Sequence, residues 1–275
     1  MGLDSTSVRF LHACMRSGVD FTRTLTLGRQ QMLESGEPAD AFLQQLGAET
    51  VDSLDASSFE GATIIADLNR PLPAELEGSY TAVVDAGTLE HVFDVARAVR
   101  STAGTVAVGG HYIAISPANN WPGHGFYQFS PELMFRMLSP AAGFEVRGAF
   151  VIEHRREARW FAVADPERVG SRVAWRSGQR ASLAVVAQRT RICDLYDYVP
   201  QQSDYASRWG DEGAGGTGAP TGRLKEQVWR VAPPTARRVY ESVIHARQER
   251  FDPRFFTRVD ASGLASYIGS HTAVG

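Results

Sequence analysis

The 275-residue sequence predicts an α/β fold built on a mostly parallel sheet with helices on both faces, and three observations predict it. Short apolar, β-rich runs alternate with amphipathic helical stretches, a spacing that implies right-handed crossovers and parallel pairing. Successive runs stop at a glycine or an aspartate (Gly28, Asp55, Asp67, Asp85), as strands do when a binding crevice lies beyond their carboxyl ends. Finally, 43% hydrophobic and 21% charged residues describe a chain able to bury a sizeable core.

In chain order, Asp4, Ser5 and Ser7 are candidate caps for a helix within residues 1–19 that carries Val8, Leu11, Cys14 and Met15 on one face. Thr24–Gly28 reads as a short strand. A helix from Ala39, with Phe42, Leu43 and Leu46 apolar, stops at Gly47. Thr50–Leu54 and Ala62–Ala66 are further strands. Tyr80–Val84 is the best strand of the sequence, and Leu89–Val99 then has a helical period. Thr105–Val108 is expected to be a strand closed by Gly109-Gly110. Pro131–Leu138 reads as a helix, while Phe144–Glu153 and Ala181–Gln188 read as late strands forming a hairpin-like end to the sheet. Residues 206–223 are glycine-rich and read as a loop, and Thr235–Phe251, after Pro233-Pro234, as a charged amphipathic helix. The expected organisation is an α/β domain over residues 1–194 and a C-terminal extension over 195–275. No internal repeat is visible.

A net charge of −3 leaves no basic excess for neutralising phosphates, which argues against nucleic acid as the main partner. Lys225 is the only lysine, so the cations are nearly all arginine, as codon bias from a GC-rich genome would give. Cys14 and Cys193 match no redox or metal spacing, so a reduced cytoplasmic location is expected. Neither a signal peptide nor a stretch of about 18 apolar residues is seen, so no membrane role is expected. A small-molecule partner remains; a homodimer is allowed.

Three strand-end aspartates form the main constellation. A carboxylate after the second strand can accept both hydroxyls of a ribose, one after the third can accept from an adenine amino group, and one after the fourth can face a cationic sulfonium or amino-acid moiety. Each alone could equally be a helix cap. Their order along one sheet edge favours a nucleoside site.

Tyr80–Asp94 (YTAVVDAGTLEHVFD) resembles the fourth-strand segment of class I S-adenosylmethionine-dependent methyltransferases, with its Leu-Glu-His element. Thr105–Pro117 (TVAVGGHYIAISP) resembles their Gly-Gly turn and fifth strand, and Asn119–Leu133 (NNWPGHGFYQFSPEL) with Gly143-Phe144 is similar to a bacterial subgroup. The resemblance spans about residues 20–190. It implies a Rossmann-like methyltransferase fold with a seven-stranded sheet and S-adenosylmethionine as cofactor. It further implies Asp55 as the ribose acid, Asp67 and Leu68 as the adenine contact, Asp85 and Ala86 as the floor under the methionine part, and His91 packed over the cofactor. The first motif departs from the family: Leu27-Gly28-Arg29-Gln30 offers one glycine, then two long polar side chains. Arg29 could grip the methionine carboxylate in place of a glycine loop, or simply begin a helix.

Methyl transfer to a hydroxyl needs positioning and a base titrating near neutrality, which favours histidine. His124, between Gly123 and Gly125 in an aromatic loop, is the first candidate and His111 the second. Asn119, Asn120, Trp121 and Tyr127 are candidate substrate contacts. No metal site is expected, because no histidine pair has i,i+3 or i,i+4 spacing. The expected function is methylation of O or N on a small bacterial metabolite, a sugar or natural product. The rivals are the same fold serving a non-methylating reaction and a catalytically silent binding or scaffold homologue. An NAD-dependent dehydrogenase is disfavoured, since no G-x-G-x-x-G follows the first strand.

Overall fold

The computed structural model describes residues 2–205, 233 and 251–270. The first half of the chain forms β1 (Gly2–Leu3), α1 (Ser5–Arg16), β2 (Arg23–Leu27), β3 (Gln31–Met32), α2 (Asp40–Gln45), β4 (Thr50–Asp55), β5 (Ile64–Ile65), β6 (Tyr80–Ala86) and α3 (Val95–Gly104). There follow β7 (Val106–Asn119), α4 (Pro131–Met137), β8 (Phe144–Glu153), β9 (Arg159–Val163), α5 (Pro166–Val169) and β10 (Ala181–Arg189), then β11 (Phe256–Val259) and α6 (Leu264–Ser270). The expected loop over 206–223, and the expected helix over Thr235–Phe251 apart from Phe251, lie outside the described residues. Phe251 itself bridges to Trp175.

The main sheet has nine strands in the order β11-β9-β8-β10-β7-β6-β2-β4-β5. From β5 to β7 every pairing is parallel, whereas β10 runs antiparallel to both β7 and β8, and β9 and β11 continue antiparallel beyond β8. The chain thus enters the sheet at β2, winds outward to β5, returns past β2 to β6 and β7, and closes with β10 inserted between β7 and β8. That is the strand order of the Rossmann-like methyltransferase fold. Seven of the nine strands share one direction, so the sheet is mostly parallel as expected, with two strands more than the seven expected. The two extra strands come from the far edge: β11 pairs with β9 across roughly 100 residues, a pairing that no local pattern announces.

Each strand residue alternates between two apolar layers. Ala82, Val84, Ile113 and Ile115 face one layer with Phe10, Leu11 and Cys14 of α1, Phe42 and Leu43 of α2, and Leu264 and Ile268 of α6. Val83, Tyr112 and Ala114 face the other, with Ala98 and Val99 of α3 and Met134 and Phe135 of α4. At about 1.5–3 kcal/mol for each fully buried large apolar side chain, these layers hold the sheet rigid beneath its carboxyl edge. The helix caps follow the sequence: Asp4 accepts from the Ser7 amide (2.7 Å) and Ser130 from the Leu133 amide (3.2 Å).

Two expected boundaries move. Gly109-Gly110 does not end a strand; β7 runs through it to Asn119, and the pair forms an irregularity opposite Tyr80–Ala82. Gly109 has φ +87°, and a Cβ on Gly110 would lie 2.8 Å from the Thr81 carbonyl oxygen, so the glycines let β7 press against β6. The expected helix over Leu89–Val99 is instead a 3₁₀ turn at Leu89–His91 followed by α3. The Glu90 carbonyl accepts from the Phe126 amide (2.7 Å), and the Asp94 amide turns to Asn69 Oδ1 (2.9 Å). With that i,i+4 bond lost to partners outside, the helix restarts under the cap of Asp94.

Candidate functional site

At the carboxyl ends of β4, β5 and β6 lies a cleft of about 430 Å³, within the range of small-molecule sites. Asp55, Asp67, Leu68, Asn69, Thr88 and His91 are among the residues lining it. Asp67 accepts from the amide (2.9 Å) and side chain (2.8 Å) of Asn69, bonds that hold its carboxyl below the usual range. Asp55 Oδ1 accepts from the Ser57 amide at 3.2 Å. Four of the expected cofactor residues, Asp55, Asp67, Leu68 and His91, therefore share one cleft although 36 positions separate the first from the last.

The other expected cofactor residues sit differently. Asp85 is fully buried: Oδ1 accepts from the amides of Thr88 (2.9 Å) and Leu89 (3.4 Å), while Ser116 Oγ donates to Oδ2 at 3.5 Å. It braces the turn after β6, and desolvation pushes its pKa up. The Ala86 methyl packs in the apolar layer with α1 and α2, away from the cleft. Gly28 has φ +73° and donates to the Leu54 carbonyl at 2.7 Å, tying the turn after β2 to β4. Arg29 is engaged by Asp40 (2.9 Å), so it holds α2 rather than a free carboxylate site. Gln30 is buried and donates to the Leu27 carbonyl (2.7 Å), which Thr88 Oγ1 also reaches (2.6 Å).

The segment 120–129, between β7 and α4, folds down on the Leu89–His91 turn. The amides of Phe126 (2.7 Å) and Tyr127 (3.3 Å) both donate to the Glu90 carbonyl, and Tyr127 Oη donates to the Phe93 carbonyl at 2.7 Å. That clamp brings His124 Nε2 to 3.4 Å from Glu90 Oε1 and sets the rings of His124 and His91 5.0 Å apart. His124 thus reaches the cleft through His91 rather than lining it. Trp121 forms the wall behind, its ring 5.4 Å from that of His124 and its Nε1 donating to the Ala181 carbonyl.

Several expected site residues are structural. His111 lies low on β7, paired with Ala82 near the start of β6, so it is far from the carboxyl edge. Burial, with Arg147 nearby, holds its pKa down at about 4, which keeps it neutral. Asn119 and Asn120 donate to the Ser177 carbonyl (3.1 and 2.9 Å), and Asn120 also reaches the Gln179 carbonyl (2.8 Å), so their amide donors fasten a neighbouring loop. The Tyr127 hydroxyl, bound to Phe93, is a strut of the clamp.

Glu90 went unremarked in the sequence, although it is the middle residue of the Leu-Glu-His element. Its side chain is 1% exposed, and burial followed by the charge of Asp85 pushes its pKa up. Its Oε2 has no hydrogen-bond partner among the described residues. Although no histidine pair has i,i+3 or i,i+4 spacing, the fold gathers Glu90, His91 and His124 so that one ligand atom from each lies within 4.8 Å of the others. No helix of the described residues is long and apolar enough to cross a membrane.

No family model matches the chain, and no curated protein matches it. Solved structures with a similar fold include an S-adenosylmethionine-dependent methyltransferase from Thermotoga maritima, 16% identical over 66% of this chain and 88% of that one, with a TM-score of 0.39. Another is the Burkholderia thailandensis 1,6-didemethyltoxoflavin-N1-methyltransferase, solved with 1,6-didemethyltoxoflavin and S-adenosylhomocysteine (13% identity, 67% and 78% coverage, TM-score 0.40). A third is the [4+2]-cyclase SpnF (12% identity, 66% and 80% coverage, TM-score 0.43).

Proposed function

We propose that the chain is an S-adenosylmethionine-dependent methyltransferase acting on O or N of a small metabolite. The observation that carries this reading is the cleft joining Asp55, Asp67, Leu68 and His91 at the carboxyl ends of the parallel strands. A carboxylate on the second of these strands suits the paired hydroxyls of a ribose. Asp67 and Leu68, one polar and one apolar, suit the edge and face of an adenine. The methyl group would lie toward His91, where the Glu90–His91–His124 cluster supplies the groups able to take a proton from the acceptor. S-adenosylmethionine held there would supply its methyl group to the acceptor oxygen or nitrogen, leaving as the neutral thioether, and Glu90, His91 and His124 would take up the acceptor's proton.

A second reading has one specific observation in its favour. The turn after β2 is built from Arg29, paired with Asp40, and from buried Gln30, rather than from a glycine loop open to a methionine carboxylate. Such a turn favours a nucleoside-binding fold serving another reaction, or a silent binding subunit. Titration calorimetry with S-adenosylmethionine and S-adenosylhomocysteine separates the readings. Saturable binding of both supports methyl transfer. Absence of heat and of thermal stabilisation at millimolar ligand sinks it.

A further inference from the structure

We propose that Glu90, His91 and His124 form a binding site for a divalent transition-metal ion of the zinc class, at the end of the cleft. The three residues come from two segments, the 3₁₀ turn after β6 and the loop after β7, and the clamp on the Glu90 carbonyl fixes both. One ligand atom from each residue lies within 4.8 Å of the others, and His124 Nε2 is 3.4 Å from Glu90 Oε1. Ligands about 2.1 Å from a tetrahedral zinc lie roughly 3.4 Å apart, so that pair already has the spacing of two donors on one ion. Both imidazoles are exposed, so rotation of the His91 ring can close the remaining gap and the ion has a path in.

The second, independent observation is the carboxylate itself. Glu90 is 1% exposed, and among the described residues no arginine pairs with it and its Oε2 accepts no hydrogen bond. A buried carboxylate oxygen without a donor is costly, and a bound cation removes that cost. Two imidazoles and one carboxylate leave coordination positions open, the pattern of catalytic rather than structural sites. His91 also lines the cleft, which puts its contents on the open side of the ion. The Glu90 main chain, held by Phe126 and Tyr127, supplies the outer support that keeps such ligands oriented.

The proposal does not depend on the methyl-transfer reading, and its test uses neither cofactor nor acceptor. The full-length protein, stripped with a chelator, is titrated with Zn²⁺ by calorimetry and with Co²⁺ by visible absorption. One equivalent of zinc is expected, with a cobalt spectrum of low coordination number. Glu90→Gln and His124→Ala are each expected to weaken zinc by at least about tenfold, while His12→Ala on α1 leaves it unchanged. Circular dichroism of the stripped variants establishes that they fold, and Glu90→Gln keeps the shape of the side chain should His124→Ala fail to fold. No stoichiometric zinc in the wild type, or equal affinity in Glu90→Gln and wild type, overturns the site.

Discussion

Gly125 lies so close to Glu90 that a Cβ on it would sit 2.6 Å from the Glu90 carbonyl oxygen, at a backbone φ of +72°. Both constraints require glycine, and they fall one residue after His124. The glycine is what lets the loop after β7 close on the turn after β6.

Gly125→Ala is therefore expected to destabilise by roughly 2–4 kcal/mol, combining left-handed strain with a backbone clash. The surviving folded protein should have His124 displaced from Glu90. Chemical denaturation measures the first effect, and the loss of turnover in the folded fraction measures the second. A variant as stable as the parent would mean that the loop does not pack on Glu90.

S-adenosylhomocysteine at 100 times its dissociation constant is expected to stabilise the protein by about 2.7 kcal/mol. Asp55→Ala should abolish most of that shift while costing the apo protein about 1 kcal/mol or less, since the one hydrogen bond its side chain makes among the described residues, accepted from the Ser57 amide, is exposed. A variant that melts well below wild type and binds normally would make Asp55 a local turn residue.

Arg29→Ala is expected to leave S-adenosylhomocysteine affinity within about twofold, because its guanidinium is already engaged by Asp40. A large loss of affinity in calorimetry would mean that Arg29 leaves Asp40 to hold the ligand.

His124→Ala is expected to cut turnover by about 10²–10⁴-fold with cofactor affinity nearly unchanged. The expectation is the same whether His124 takes the proton itself or holds an ion that does the activating. Full turnover in the variant would reduce His124 to a residue that packs against Trp121.

Acid sensitivity should trace to His111. Burial lowers its pKa from 6.5 to about 4, so the folded protein refuses a proton that the unfolded chain accepts. Its contribution is complete above pH 6.5 and is lost as pH falls toward 4, amounting to about 2 kcal/mol between pH 7 and pH 5. His111→Phe should remove that loss and raise stability at pH 5 relative to pH 7, the raised carboxyls of Asp85 and Glu90 acting in the opposite direction over the same window. An unchanged slope would place the acid sensitivity elsewhere.

Local sequence determined those parts of the protein whose cause is local. Periodicity placed β6, β8 and α4 almost to the residue, because a buried strand or an amphipathic helix announces itself within a few positions. The strand-end aspartates 55 and 67 were legible because a parallel sheet puts every carboxyl end on one edge. The tertiary structure decided what depends on partners distant in the chain. Asp85 looked like its two fellows, but Thr88, Leu89 and Ser116 enclose its carboxylate. Asn119 and Asn120 looked free until the loop at Ser177 and Gln179 took up their amides. The cluster of Glu90, His91 and His124 was invisible because its members meet across more than 30 residues, drawn together by main-chain bonds to one carbonyl. A residue type states what a side chain can do; which of its atoms remain available is decided by neighbours that only the folded chain supplies.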